Sequence, residues 1–184
     1  REQTKKRNKV LYQSEHDELT GLYNKRSLNR YLEDVFEACK LNEKELGILF
    51  LDIDYFKQLN DRYGHGKGDE GICAVADTLK RIFPEDYVAR YGGDEFLVVM
   101  PERDLTYAME HAELLCAGIR ECKIPNEDSE VESWLTISVG GVCAIPKEPN
   151  RVWDFLSAAD NTLYEQKKEQ KGKVRFYQGE GKYL

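Results

Sequence analysis

The segment Gly47-Ile48-Leu49-Phe50-Leu51-Asp52-Ile53-Asp54 constrains the fold more than any other part of the chain. Its apolar residues do not alternate with polar ones, so a strand here must be covered on both faces, as in an α+β or α/β domain. The run ends in Asp-x-Asp, and the two-residue period of a strand puts Asp52 and Asp54 on one side of it. Carboxylates gathered at one strand end repel one another unless a cation sits between them. Magnesium suits such a place, because it takes few protein carboxylates and fills its shell with water and phosphate oxygens. A lone Asp-x-Asp is nevertheless often only solvated.

A second acidic strand end changes the balance. Tyr87-Val88-Ala89 and Phe96-Leu97-Val98-Val99-Met100 read as strands on either side of Arg90-Tyr91-Gly92-Gly93-Asp94-Glu95, which makes the glycines a hairpin tip. Glycine lets a backbone approach a ligand closely, and the acids that follow can hold a hard cation. Either feature alone is weak; together they point to a metal-assisted site at one end of a sheet.

The remaining pattern is that of one domain. The periodicity predicts a helix over 25–40, the strand to Asp54, a short helix near 56–62, a glycine-rich loop at 64–68 and a helix over 69–82. After the hairpin come a helix over about 104–122, an exposed acidic connection at 123–132 and a strand from Trp134 to Ala144. A helix over 152–169 and a short strand, Val174 to Tyr177, complete the chain. Residues 1–16 read as the end of a helical linker, and a chain opening at Arg1 is read as cut from a longer protein that could be membrane-anchored. With a formal charge of −7 and dispersed basic residues, no nucleic-acid polymer is expected as a partner. No stretch suits a membrane span, so no membrane contact by this domain is expected. Cys39, Cys73, Cys116, Cys122 and Cys143 form no Cys-x-x-Cys pair and read as reduced thiols of a cytoplasmic domain. Gly66-x-Gly68-x-x-Gly71 matches a dinucleotide-binding pattern, but the residues before it look helical where that motif needs a strand.

Several ordered motifs resemble one family, the GGDEF domains or diguanylate cyclases of bacterial signalling. Asp17-Glu18-Leu19-Thr20-Gly21-Leu22-Tyr23-Asn24-Lys25-Arg26 is similar to its opening motif. Asp52 to Asp69 follows its central motif, with Phe56-Lys57, Asn60-Asp61, Gly64-His65 and Gly68-Asp69 in register. Ser138-Val139-Gly140, then Ala159-Asp160 through Leu163-Tyr164 and Lys167, match its last blocks, so the resemblance spans residues 14–177. It implies a catalytic domain over 17–184 with a central, mainly antiparallel sheet of about five strands flanked by helices, like a polymerase palm or nucleotidyl cyclase. It also implies condensation of two GTP into cyclic di-GMP and two pyrophosphates by two copies of the domain facing each other. The alternative within the family is a catalytically silent module that binds GTP or a partner as a switch.

The resemblance assigns roles residue by residue. Asp52, the Ile53 carbonyl and Asp94 match the ligands of Mg2+ (or Mn2+), two ions per GTP, with Glu95 beside the second. Asp94, Glu95 and Lys57 form the catalytic set, Asp94 as the base proposed for the 3′-hydroxyl. Phe56 and Lys57 open a helix whose free N–H groups suit phosphate. Asp69 falls where the family reads guanine, whose N1–H and N2 amine a carboxylate can accept together; read without the family, Asp69 is a helix N-cap. Asn60 and His65 take further base and ribose contacts. Lys167 and Lys171, placed four apart on one helix face, take the β- and γ-phosphates or else belong to a solvated basic face. Asp54 is open between metal and structure. In the family's inhibitory product site, Asp86 is present but Phe83 stands in place of arginine, so strong product inhibition there is not expected.

Overall fold

The computed structural model describes residues 2–179 and Leu184. The apolar run becomes β1 (Leu46–Ile53), every residue of which is buried. It lies at the centre of a five-stranded sheet, with β2 (Tyr87–Arg90), β3 (Glu95–Pro101), β4 (Ile137–Ala144) and β5 (Val174–Phe176) in the order β2-β3-β1-β4-β5. All pairings are antiparallel except β4 with β5.

Burial on both faces of β1 explains its lack of alternation. Leu49, Leu51 and Ile53 point into a core closed by α4 (His65–Ile82) and α5 (Leu105–Glu121), with Ile72, Val75, Leu79, Leu115 and Ile119. Leu46, Ile48 and Phe50 point the other way, into a core closed by α2 (Lys25–Leu41) and α6 (Val152–Glu169), with Leu28, Leu32, Phe36 and Phe155. The Asn24 side chain caps α2 by accepting the Ser27 N–H at 3.0 Å, and Asp104 caps α5 by accepting the Tyr107 N–H at 2.8 Å.

α1 (Glu2–Glu15) buries none of its residues. It is tied to the body by ring stacking, Tyr12 on His16 and His16 on Tyr23, at centroid distances of 4.0 and 4.6 Å. Tyr23 then bridges to Ala89, joining this turn to the edge strand β2.

Four local expectations are corrected. The stretch 64–68 is not a loop: α3 (Phe56–Tyr63) passes at Gly64, with φ 88°, directly into α4. Gly68 is helical and buried because α3 crosses it; a Cβ there would collide with Asn60 Oδ1. The strand predicted from Trp134 begins at Ile137, since Trp134 and Leu135 pair instead with Pro125 and Ile124 of the preceding segment. That segment is not simply exposed, because Ile124 and Asn126 are buried. Finally, α6 ends at Glu169, so Lys171 lies beyond the helix and does not share its face through helical periodicity.

Candidate active site at the acidic end of the sheet

β1 and the β2–β3 hairpin bring the two acidic segments together. Asp52 faces Glu95 in the β1–β3 register, and the Ile53 N–H donates to the Asp94 carbonyl at 3.2 Å. The tip is shaped by its own backbone: the N–H groups of Tyr91 and Gly92 both donate to the Glu95 carbonyl, at 2.8 and 3.2 Å. A Cβ at Gly92 would stand 2.5 Å from Glu95 Oε2, so a side chain there would displace the Glu95 carboxylate from its present position. Arg90 latches the tip from behind. Its guanidinium donates to the Gly92 carbonyl (3.1 Å) and the Gly93 carbonyl (2.7 Å) while meeting both Asp17 oxygens at 3.2 Å.

Asp52 is the electrostatic centre. Burial pushes its carboxyl up to about 6; the Lys167 ammonium pulls down, while Asp54 and Asp94 push further up. Lys167 reaches across from α6 and donates to Asp52 Oδ2. The other oxygen, Oδ1, is buried without a hydrogen-bond partner. An ionised carboxylate oxygen left so is costly, and a divalent cation is a fitting occupant. The Glu95 carboxyl beside Asp52 is also raised, by burial first and then by Asp94 and Asp160. Among the described residues no three acid, histidine or cysteine side chains close on one point; the expected set has only two carboxylates, Asp52 and Asp94, with the Ile53 carbonyl as its third donor.

Asp54 resolves toward structure. Wholly buried, it accepts the Thr136 hydroxyl at 2.8 Å and the Ser138 hydroxyl at 2.6 Å, and Ser138 in turn accepts the Gly172 N–H at 3.0 Å. These bonds bind the end of β1 to β4 and to the turn carrying Lys171. Lys171 lies over the Tyr55 ring at 4.7 Å, so an aromatic contact, not helix spacing, brings it to this end of the molecule.

The remaining expected residues line α3 and the start of α4. Phe56 is half-buried against the core and Lys57 is exposed beside it. Asn60 presents an Oδ1 that is buried yet unpartnered. His65 and Asp69 are exposed. Asp69 stands in the second turn of α4, whose N-cap is Gly64, so it caps nothing.

The inhibitory-site pair lies apart. Phe83 is a core residue, 1% exposed, and cannot stack on a ligand. Asp86 accepts the Tyr107 hydroxyl at 2.6 Å and pairs with Arg103 at 3.5 Å, so it is not the isolated anion the sequence suggests. Sequence reasoning missed Arg103, Asn126, Thr136 and the latching role of Arg90, because the Asp86, Tyr55, Asp54 and Asp17 groups that they meet lie on other segments of the chain.

This sheet, with an acidic strand end facing a Gly-Gly-Asp-Glu tip, has the mainly antiparallel architecture of the GGDEF domains. The chain belongs to the GGDEF family: residues 14–173 match the model described as "Diguanylate cyclase, GGDEF domain". Among its relatives, "Probable diguanylate cyclase DgcC" of Escherichia coli is 33% identical over 156 residues, covering 84% of this chain and 41% of that protein. "Diguanylate cyclase VdcA" of Vibrio cholerae is 34% identical over 161 residues, 86% of this chain and 46% of that protein. The chain therefore spans less than half the length of these curated relatives. The coiled coil and GGDEF domain of DgcB from Caulobacter crescentus, solved in complex with c-di-GMP, superimposes with a TM-score of 0.86 at 24% identity, over 95% of this chain and 92% of that one, and so shares the fold. No helix among the described residues is long and apolar enough to cross a membrane.

Proposed function

We propose that this domain is an active diguanylate cyclase half-site, and that two GTP-loaded copies condense their nucleotides into cyclic di-GMP and two pyrophosphates. The observation that carries the reading is Asp52: buried, facing the Asp94-Glu95 tip, and holding one oxygen with no protein partner. Asp52, Asp94 and the Ile53 carbonyl would hold Mg2+ or Mn2+, which when bound supplies charge neutralisation at the phosphates and lowers the pKa of the attacking hydroxyl. With Asp52 committed to the cation, the Lys167 ammonium is free to face the β- and γ-phosphates alongside Lys171. Lys57 and the first-turn N–H groups of α3 add further positive potential. Asp69 accepts the guanine N1–H and N2 amine, and Asn60 and His65 hold the rest of the base and the ribose.

In each half-reaction the 3′-oxygen of one GTP forms a bond to the α-phosphorus of the other, the bond from that phosphorus to the bridging oxygen breaks, and pyrophosphate leaves. Asp94 takes the hydroxyl proton. Two such steps close the ring, and because each GTP sits on a different copy, both copies are needed. The silent-module alternative is disfavoured because Asp52, Asp94 and Glu95 are all present. The test is incubation of the purified domain with GTP and Mg2+, with nucleotides resolved by chromatography. Cyclic di-GMP should form with two pyrophosphates per product, and Asp94→Asn should abolish it while circular dichroism stays unchanged. GTP binding without any turnover at high domain concentration would establish the silent module instead.

A further inference from the structure

The segment between α5 and β4 turns a polar side chain inward onto the start of α3. Asn126, 0% exposed, donates from Nδ2 to the main-chain carbonyls of Asp54 and Tyr55, each at 3.4 Å. Its own backbone is fixed, the N–H donating to the Ser133 carbonyl at 2.8 Å and the carbonyl accepting the Ser129 N–H at 3.0 Å. The outer side of the segment is strapped down separately. Arg62 of α3 pairs with Glu127 and, at 2.8 Å, with Asp128, and the Tyr55 hydroxyl donates to Glu130 at 3.2 Å.

What Asn126 grips is a strained turn. Tyr55 has φ 52° and ψ 38°, the left-handed region that an aromatic L-residue avoids, and no side chain caps α3. This conformation redirects the chain between the Ile53 carbonyl, on the cation side, and the first-turn N–H groups of α3. An uncharged primary amide offers two hydrogens on one nitrogen to two carbonyls without burying a charge; a carboxylate of the same shape would repel both. The amide is retained although its Oδ1 is buried without a partner, a cost that makes sense if the donor end is what matters.

We propose that Asn126 is a positioning residue for the nucleotide: by occupying the Asp54 and Tyr55 carbonyls it holds Tyr55 left-handed, and so aims Lys57 and the first-turn N–H groups of α3 at the GTP phosphates. The proposal rests on the reading that α3 receives those phosphates. It explains why a wholly buried asparagine sits inside an otherwise acidic surface segment.

The test is calorimetric titration of the purified domain with the non-reacting α,β-methylene analogue of GTP in Mg2+. Asn126→Ala should weaken binding about tenfold, the scale of one lost hydrogen-bonding anchor. Because Tyr55→Gly also removes the ring beneath Lys171, it serves as the reference for the double variant: adding Asn126→Ala to Tyr55→Gly should cost little affinity, since glycine adopts positive φ without strain; a merely structural role for Asn126 would cost the same in both backgrounds. Arg62→Ala, which loosens the strap but leaves the turn alone, should lower the melting temperature and leave the affinity unchanged. Should the alanine variant not fold, Asn126→Ser, which keeps one donor, serves in its place, with a smaller loss that should likewise vanish in the Tyr55→Gly background. Wild-type affinity in folded Asn126→Ala, or an equal loss from Asn126→Ala with Tyr55 in place and with Tyr55→Gly, overturns the positioning role alone. Absence of analogue binding by the unmodified domain overturns the phosphate-site reading along with it.

Discussion

Asp69 and Phe83 show how a residue's meaning changes with its neighbours. An aspartate opening an apolar-periodic segment reads as a helix cap, but α4 begins at His65, which leaves the exposed Asp69 carboxylate without a capping duty. In the proposed role of guanine reader, it should control base choice more than phosphate binding. Asp69→Ala is expected to shrink the ratio of GTP to ATP affinity about tenfold to a hundredfold, the equivalent of losing a charged hydrogen bond worth about 1.5–3 kcal/mol. Parallel titrations with both nucleotides measure it, and an unchanged ratio removes Asp69 from recognition. Phe83 follows the opposite course. Its place in the motif invites Phe83→Arg as a way to install product inhibition, yet the ring is buried beside Leu79 and Ala112 in the α4–α5 core. The substitution should instead destabilise the domain by at least about 3–5 kcal/mol, the cost of emptying a buried phenylalanine site, with the unpaired guanidinium adding to it. Urea denaturation decides this; a variant as stable as the parent would mean that Phe83 can swing out to solvent.

At the scale of elements, the Gly-Gly-Asp-Glu hairpin is held by a latch outside it as well as by its own bonds. The Tyr91 and Gly92 N–H bonds to the Glu95 carbonyl and the Tyr91 ring set edge-on against Phe50 shape the tip, and Arg90 adds a clamp by holding the Gly92 and Gly93 carbonyls while Asp17 holds Arg90. Burial would raise the Asp17 carboxyl, but the Thr20 hydroxyl and N–H and the Arg90 guanidinium outweigh it and hold it below 3.8. A depressed carboxyl contributes stability that is fully present above the ordinary carboxylate value and is lost as pH falls through the lowered folded value. Asp17→Asn should therefore cost stability at neutral pH and flatten the melting curve's dependence on pH below about 4, with little change in slope above it. Thermal melts of both proteins across acid and neutral buffers check this, and an identical acid slope in the variant would contradict it. Because the latch joins the turn after α1 to the tip, the same variant should also slow synthesis without abolishing it.

At the scale of the whole molecule, one copy presents one set of acids and one nucleotide position, so the proposed reaction needs an encounter. At concentrations where the domain is mostly monomeric, doubling it should raise the total initial rate about fourfold, flattening to twofold once dimers dominate. Initial rates over a dilution series measure this, and strict proportionality at every concentration would mean that the copies do not share the reaction. Much of this architecture was legible beforehand. The unbroken apolar run announced a strand covered on both sides, and the paired acidic strand ends announced that Asp52 and the Asp94-Glu95 tip would meet, because burial and charge are properties of residue type and spacing. The sequence by itself also determined the family, through motifs whose order and spacing survive without coordinates. Only the tertiary structure decided that Asp54 is spent on Thr136 and Ser138, that Lys171 arrives over Tyr55 instead of along α6, and that an asparagine in an acidic segment is buried beneath α3. Each of these depends on a partner about 70 or more residues away in sequence, and pattern along the chain carries no distance across it.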